Sequence, residues 1–317
     1  LMNPIASLVL IRMNGGTAMM RILGIVGVQI CICVPIIVFQ FCKGKEFFSK
    51  EYWGYALRIG IPIVPHYLSG IILNQGDRIM IDKMVGKTEV ALYGLAYSIG
   101  MLVQLFISGM NSALTPWMYS KIKKGDIRSM RKVLQLLSVV VVGIAVALML
   151  ISPELVLIFG SPKYREAVYV IPPVAASVFF IFIYNILSMP QFYYEKTQFL
   201  MAASMAAAGA NVVLNFIFIR LFGYIAAGYT TLACYMLYSV GHYIVSKRIL
   251  VNEGIQENLM NPGFLLACSV FLIGASIICN LIFPYRILRY AILLASAGLV
   301  FWKKELLLKT MADIRKK

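Results

Sequence analysis

Long windows without a single charged residue dominate the chain, and the charges are concentrated in the short segments between them. A membrane-spanning helix needs about 20 mostly apolar residues, with a range of about 17 to 25. A shorter window, 290–302, gains length if Arg286 and Arg289 extend their side chains to the membrane interface. When this window is counted, the pattern predicts nine complete spans. The other eight windows are residues 22–42, 59–76, 90–120, 133–153, 167–194, 197–219, 221–246 and 258–285.

The length of these windows also predicts the fold class. Lipid tolerates only helices or closed barrels, and the windows are too long to be barrel strands. We therefore expect an all-α polytopic membrane protein without a folded extramembrane domain in its connections. Residues 1–11 are uncharged and do not begin with Met, which we interpret as the end of a helix. On this interpretation the chain is a C-terminal fragment of a longer protein: nine spans and a helix stub.

Composition excludes a soluble protein. Charged residues are 13% of the chain, whereas about 25% is typical of soluble domains. Apolar and aromatic residues reach 61%, and the mean hydropathy is +0.83. Such a chain cannot cover a globular core with polar side chains.

The net charge of +16 would suggest nucleic acid in a soluble chain, but here it predicts topology. Alternate connections and the tail carry 19 of the 29 Lys and Arg residues. Because positive charge favours the cytoplasmic side, the segments around Lys45, Lys123 and Lys247 and the C-terminus should be cytoplasmic.

Catalytic and metal-binding patterns are missing from the sequence. The six Cys form no CxxC pair, and the only two His are His66 and His242. We predict no enzymatic activity, no metal site and no cofactor. Sparse polar residues inside the spans are more informative, because ionisable groups in a bilayer are costly and often functional.

The stretch 59–86 contains the most informative polar residues. Its two prolines, Pro62 and Pro65, should break the start of the helix. At 1.5 Å per residue from Ile59, Asp77 and Arg78 lie about 27 Å along the helix. Two interpretations remain open. Asn74, Asp77 and Arg78 either face an aqueous cavity or form a charged anchor at the outer interface, where Arg78 can pair with Asp82 four residues later.

Four further residues are candidates with simpler alternatives. Asn111, Asn211 and Asn215 lie within spans, where an Asn either bonds to a neighbouring helix or binds a ligand. Arg21 lies at the start of its span and either faces the cavity or extends outward to the interface.

Five runs together resemble a bacterial polysaccharide-biosynthesis flippase of the O-antigen type. They are GIPIVPHYLSGIILNQGDRIMIDKMVG, YGLAYSIGMLVQLFISGMNSALTPWMYSKIK, SPKYREAVYVIPP, QFYYEKTQFL and NVVLNFIFIRLFGYIAAGYTTLACY. The resemblance as a whole covers about residues 17–249. Such flippases belong to the multidrug, oligosaccharidyl-lipid and polysaccharide (MOP, MATE-like) superfamily. One departure is Arg220, since similar sequences usually carry Pro before the FGY run.

The resemblance implies a MATE-like fold of two six-helix lobes around a central cavity that alternates between inward-open and outward-open states. On that plan, residues 1–52 end the first lobe, residues 53–249 form the second lobe, and residues 250–317 form a C-terminal helix pair with a basic tail.

The implied function is to flip a polyprenyl-diphosphate-linked oligosaccharide across the bacterial cytoplasmic membrane. Cationic groups are needed for the phosphates, and amide or hydroxyl groups for the sugar. The substrate-binding candidates are Arg78, Asp77, Asn74, Arg21, Asn111 and Asn215. The partners implied are the lipid-linked oligosaccharide, membrane lipid, H⁺ or Na⁺ as the coupling ion, and polysaccharide polymerase and export proteins, but no nucleic acid.

Two other function classes stay open at this point. A drug or cation antiporter of the same superfamily would favour an acidic cavity, although the spans carry few carboxylates. A membrane polymerase or ligase glycosyltransferase would need a sizeable outer loop with catalytic side chains, whereas the outer connections are short.

Overall fold

The computed structural model describes residues 2–13, 18–46 and 48–302, and the regular structure within these ranges is helical without any strand. This confirms the predicted all-α polytopic class. The helices are α1 (Met2–Met13), α2 (Ala18–Gly44), α3 (Lys50–Met84), α4 (Lys87–Gly100), α5 (Leu102–Lys123), α6 (Ile127–Phe159), a 3-10 helix (Pro162–Val170), α7 (Ile171–Tyr193), α8 (Thr197–Phe222), α9 (Ala226–Asn252), α10 (Pro262–Ile282) and α11 (Arg286–Trp302).

Within the described ranges, seven helical segments are long and apolar enough to cross a membrane, against the nine predicted spans. The other two predicted windows are also helical. One is α11, which has only 17 residues. The second is α9, which is long enough but carries a polar face that is buried in the protein. The basic tail at 303–317 lies outside the described residues.

The chain divides into two compact units, the first ending at Arg58 and the second beginning at Ile59. In the first unit, α1 packs closely on α2. The Ser7 hydroxyl donates to the backbone oxygen of Arg21 at 3.1 Å. A Cβ on Gly24 would lie 2.6 Å from the Cα of Ser7, so only glycine permits this approach. Small residues commonly mediate such contacts between membrane helices.

Helix α3 is continuous from Lys50 to Met84, so the expectation that Pro62 and Pro65 break it is wrong. Proline removes one backbone donor, but spanning helices tolerate it where other groups bond the freed carbonyls.

Helix α7 is the centre of the second unit. Its first thirteen residues, 171–183, are all buried, and the helix packs against α4, α5, α6, α9 and α10. Gly100, at the end of α4, allows one of these contacts, because a Cβ there would lie 2.6 Å from Cγ1 of Val174. This packing holds α4, α7 and α9 around the polar residues described next.

Helices α6 and α10 each begin with a side-chain cap. Asp126 caps α6 by accepting from the Ser129 amide at 3.3 Å, and it also pairs with Lys121 at 2.7 Å. Asn261 caps α10 by accepting from the Gly263 amide at 2.9 Å. Side-chain oxygens at these positions satisfy amides that have no partner inside the helix.

Candidate functional site: a polar cleft and a buried carboxylate

The second unit contains a cleft of about 720 Å³, which we term the central cleft. Helices α3, α4, α5, α7 and α9 form its walls. Its lining combines amides, one guanidinium and several aromatic rings, and no carboxylate occurs among the described lining residues. The polar and aromatic lining residues are His66, Tyr67, Asn74, Gln75, Arg78, Tyr97, Ser98, Gln104, Tyr184, Asn185, Ser188, Phe192, Tyr235 and Tyr238.

Arg78 is the strongly basic group of the cleft. One terminal nitrogen donates to Oε1 of Gln75 at 3.0 Å, and the guanidinium carbon lies 5.3 Å from the centre of the Tyr97 ring. The Nε atom is buried and has no hydrogen-bond partner in the described part of the chain. A buried donor without a partner is costly, so this N–H favours an acceptor supplied by a ligand.

Asn74 lies one turn before Arg78 on the same wall. Its side-chain oxygen accepts from the Tyr97 hydroxyl at 2.7 Å and from the Tyr235 hydroxyl at 3.4 Å. Its amide nitrogen donates to the Gly70 backbone oxygen at 2.7 Å. These bonds tie α3 to α4 and α9, and they fix the orientation of the polar wall.

Asp77 points away from the cleft into a fully buried cluster. Its side chain is 0% exposed. One carboxylate oxygen accepts from the Tyr93 hydroxyl at 2.5 Å and the Thr231 hydroxyl at 2.7 Å. The other accepts from the Asn215 amide at 2.5 Å. We define the Asp77 cluster as Asp77, Tyr93, Asn211, Asn215, Thr230 and Thr231.

The remaining members complete this cluster. The Asn215 amide also donates to Oδ1 of Asn211 at 3.1 Å, and the Thr230 hydroxyl donates to Oδ1 of Asn215. No Lys, Arg or His in the described ranges forms an ion pair with Asp77. A carboxylate is therefore surrounded by neutral hydroxyl and amide groups at the meeting point of α3, α4, α8 and α9.

A second polar network begins at the other end of the cleft. The Nδ1 atom of His66 lies 2.5 Å from the Ser204 hydroxyl and 3.1 Å from the Tyr238 hydroxyl. The Tyr184 ring stacks on Tyr235 and lies 4.5 Å, centre to centre, from the Tyr238 ring. Polar groups and aromatic faces are thus interleaved along the cleft.

The structure separates the predicted site residues into groups. Asn74 and Arg78 line the central cleft, whereas Asp77 and Asn215 lie in the cluster behind it. Asn111 is half-buried on α5 and is not part of the cleft lining.

Two further predictions concern arginines. Arg21 lies in the first unit and is exposed. The predicted pairing of Arg78 with Asp82 is wrong, since no ion pair joins them in the described part of the chain. Arg78 bonds to Gln75 instead, and the neighbouring Asp77 carboxylate is turned into the bundle, about 100° around the helix from Arg78.

Sequence analysis missed much of the lining, including His66, Gln104, Asn185 and the tyrosines. A helical period would have indicated some of them. Tyr235 and Tyr238 are three residues apart, so they share one helix face.

The architecture and the cleft together define a multi-pass helical membrane protein with a polar interior. Within that class, the sequence resembles polysaccharide biosynthesis proteins, since the model of that family matches residues 2–122. This confirms the resemblance over α1 to α5, the part that carries Asn74, Asp77 and Arg78.

Two curated relatives come from Haemophilus influenzae. A protein named for the Lsg locus is 28% identical over 172 residues, which cover 51% of this chain and 41% of that protein. A protein described as an uncharacterized membrane protein is 29% identical over 167 residues, covering 49% of this chain and 40% of the relative. The chain thus spans about two fifths of the length of these relatives. No solved structure matches the chain.

Proposed function

We propose that this protein flips a polyprenyl-diphosphate-linked oligosaccharide across the bacterial cytoplasmic membrane during the synthesis of O-antigen, capsule or exopolysaccharide. The observation that carries the proposal is the central cleft, a polar and aromatic cavity of about 720 Å³ within a membrane bundle. The similarity of residues 2–122 to polysaccharide biosynthesis proteins supports it.

The cleft has the chemistry that such a substrate requires. Arg78 offers an unpartnered buried N–H and a positive charge to the diphosphate. Asn74, Gln104 and Asn185 present amides to sugar hydroxyls, and Oε1 of Gln104 is also buried without a partner among the described residues. Tyrosine rings add flat apolar faces with polar edges, which suit a ring-shaped polar ligand.

We assign residues 53–249 to the second lobe of a MATE-like transporter and residues 250–317 to an additional helix pair with a cytoplasmic C-terminus. Residues 1–52 then close the first lobe. Transport by such a fold requires alternating access, in which two lobes move about a fixed site. The protein acts as a transporter on this proposal, and polysaccharide polymerase and export proteins use the flipped product.

The Asp77 cluster is the site that we assign to the coupling cation, either H⁺ or Na⁺. A carboxylate in hydrocarbon needs a compensating positive charge, and Asp77 has no ion-pair partner in the described chain. Carboxylate, amide and hydroxyl oxygens suit a hard monovalent cation, and the carboxylate alone can hold a proton. Because Asp77 is adjacent to Arg78 on α3, occupancy of the cluster can alter the wall that meets the substrate.

The rival function classes predict a different cleft. A cation antiporter requires negative charge where its substrate binds, but no carboxylate is among the described lining residues. A membrane glycosyltransferase requires a catalytic domain or long outer loop, and the described connections between helices are short.

Glycan export in a bacterial strain that lacks its own flippase tests the proposal. Expression from the native gene should restore surface glycan and remove the lipid-linked intermediate that accumulates inside the cell. An Arg220→Ala variant is a suitable control, because Arg220 is exposed and lies outside the cleft. Persistent accumulation of the intermediate despite normal amounts of protein would contradict the assigned function.

A further inference from the structure

A second polar pocket lies away from the central cleft, at the opposite end of the unit from the Lys121–Asp126 pair. It has a volume of about 520 Å³ and lies between the end of α6, the 3-10 helix and the turn from α10 to α11. We term it the basic pocket, and its charged lining residues are Glu154, Arg165, Arg286 and Arg289.

Arg289 forms the floor of the basic pocket and is only 1% exposed. Its two terminal nitrogens donate to the two carboxylate oxygens of Glu154, each at 2.8 Å, and one of them also donates to the backbone oxygen of Leu150 at 2.6 Å. The Nε atom is buried and has no partner in the described structure. One donor of a fully buried guanidinium is thus left for a group that the chain itself does not supply.

Arg165 and Arg286 make the pocket electropositive. Glu154 neutralises only Arg289, and neither of the other two arginines has a hydrogen bond or ion pair among the described residues. Both are exposed. Two uncompensated positive charges beside an unpartnered N–H match an anion with several acceptor oxygens, of which phosphate is the commonest in biology.

The surroundings favour a lipid headgroup as the source of that phosphate. Tyr169 contacts Phe283 with ring centres 5.8 Å apart, and the Tyr290 hydroxyl donates to Glu154 at 2.9 Å. Tyrosines in this arrangement are typical of the membrane interface. The neighbouring surface is apolar and exposed, with Ile158 at 72% and Ile287 at 87%. Acyl chains can therefore lie beside the pocket while the headgroup occupies it.

We propose that the basic pocket binds the phosphate of an anionic phospholipid such as phosphatidylglycerol, with Arg165 and Arg286 as the binding cations. The bound lipid would connect α6 to the α10–α11 turn and stabilise the C-terminal helices against the bundle. This site is independent of the central cleft and of the transport function assigned to it.

Lipid binding to the purified protein tests the proposal. The protein is transferred into nanodiscs of phosphatidylcholine alone or with added phosphatidylglycerol, and retained lipid is counted by native mass spectrometry together with the melting temperature. Wild type should retain phosphatidylglycerol and melt at a higher temperature in its presence. In R165Q/R286Q, the affinity for phosphatidylglycerol should fall roughly thirtyfold.

The matched control is K83Q/K87Q, which removes two exposed cations outside the pocket, one in the last turn of α3 and the other at the start of α4. This control should keep the preference for phosphatidylglycerol, and R165K/R286K should recover most of it. Equal retention in wild type and R165Q/R286Q would overturn the proposal. So would an equal loss in both double variants, or the same stabilisation of wild type by inorganic phosphate in phosphatidylcholine nanodiscs.

Discussion

At the scale of single residues, two neighbours on α3 have opposite environments. Arg78 lines the central cleft with one unpartnered N–H, and Asp77 is fully buried among hydroxyl and amide donors. Their side chains point about 100° apart around the helix, which follows from 3.6 residues per turn. On the proposed function, this separation lets one segment supply both the substrate contact and the cation site.

The first prediction concerns Arg78. Removal of a charge-assisted bond costs about 1.5 to 3 kcal/mol, so Arg78→Ala should lower apparent substrate affinity roughly tenfold to hundredfold. Arg78→Lys should retain part of the activity, because it keeps the charge but loses the planar fork. Surface glycan and membrane abundance are measured together. Normal export by Arg78→Ala would remove Arg78 from the site.

The second prediction concerns Asp77. Asp77→Asn keeps the size of the side chain but abolishes its charge, so cation-driven transport should be lost while substrate binding persists. Asp82→Asn is the matched control, since Asp82 is an exposed carboxylate on the same helix. Transport is measured under an imposed Na⁺ or H⁺ gradient. If Asp77→Asn responds to both gradients like wild type, the Asp77 cluster is not the coupling site.

Sequence predicted part of this site at residue level. Polar residues in a spanning helix are rare because placing them in hydrocarbon costs free energy. This made it possible to identify Asn74, Asp77 and Arg78 from the sequence. Tyr184 and Asn185 were not, because α7 reads as a continuous apolar run and only its packing reveals which face meets the cleft. The wrong pairing predicted for Arg78 has a similar origin. Helix spacing shows which residues are close to Arg78, but it does not show which of them accepts its hydrogen bond.

At the scale of helices, close packing around α7 limits side-chain size at Gly100. A methyl group there would overlap Val174, whereas Gly143 on α6 has open space around it.

We therefore predict that Gly100→Ala destabilises the protein by about 1 to 3 kcal/mol, the usual cost of overpacking. Gly143→Ala should be neutral or slightly stabilising, because alanine favours a helix. Thermal unfolding in detergent distinguishes the two variants. Equal melting temperatures would contradict the prediction, because they would mean that α4 and α7 accommodate the methyl group without loss of stability.

The helices themselves were largely predictable, and the exceptions have physical causes. Charge-free windows located the helices because hydrocarbon selects against charge. The prediction that proline breaks α3 was wrong, because a membrane-spanning helix tolerates proline in its interior. The buried polar face of α9 lowers the average hydropathy of a helix that lies deep in the bundle.

At the scale of the whole molecule, the charge distribution predicts the topology. Cysteines introduced in a cysteine-free background at Lys123, which precedes α6, and at Ser161, which follows it, should differ in accessibility. A membrane-impermeant thiol reagent should label position 161 in intact cells and position 123 only after lysis. Strong labelling of position 123 from outside would reverse the orientation.

The central claim is that the protein moves a lipid-linked oligosaccharide through the central cleft, and a flipping assay in proteoliposomes measures this directly. A fluorescent polyprenyl-diphosphate oligosaccharide is placed in both leaflets, and an external glycosidase reports which molecules reach the outer leaflet. Protein expressed from the native gene should expose the inner-leaflet pool, and Arg78→Ala should slow this at least about tenfold. An inner pool that stays protected with wild-type protein, or is exposed equally fast with Arg78→Ala, would contradict the account.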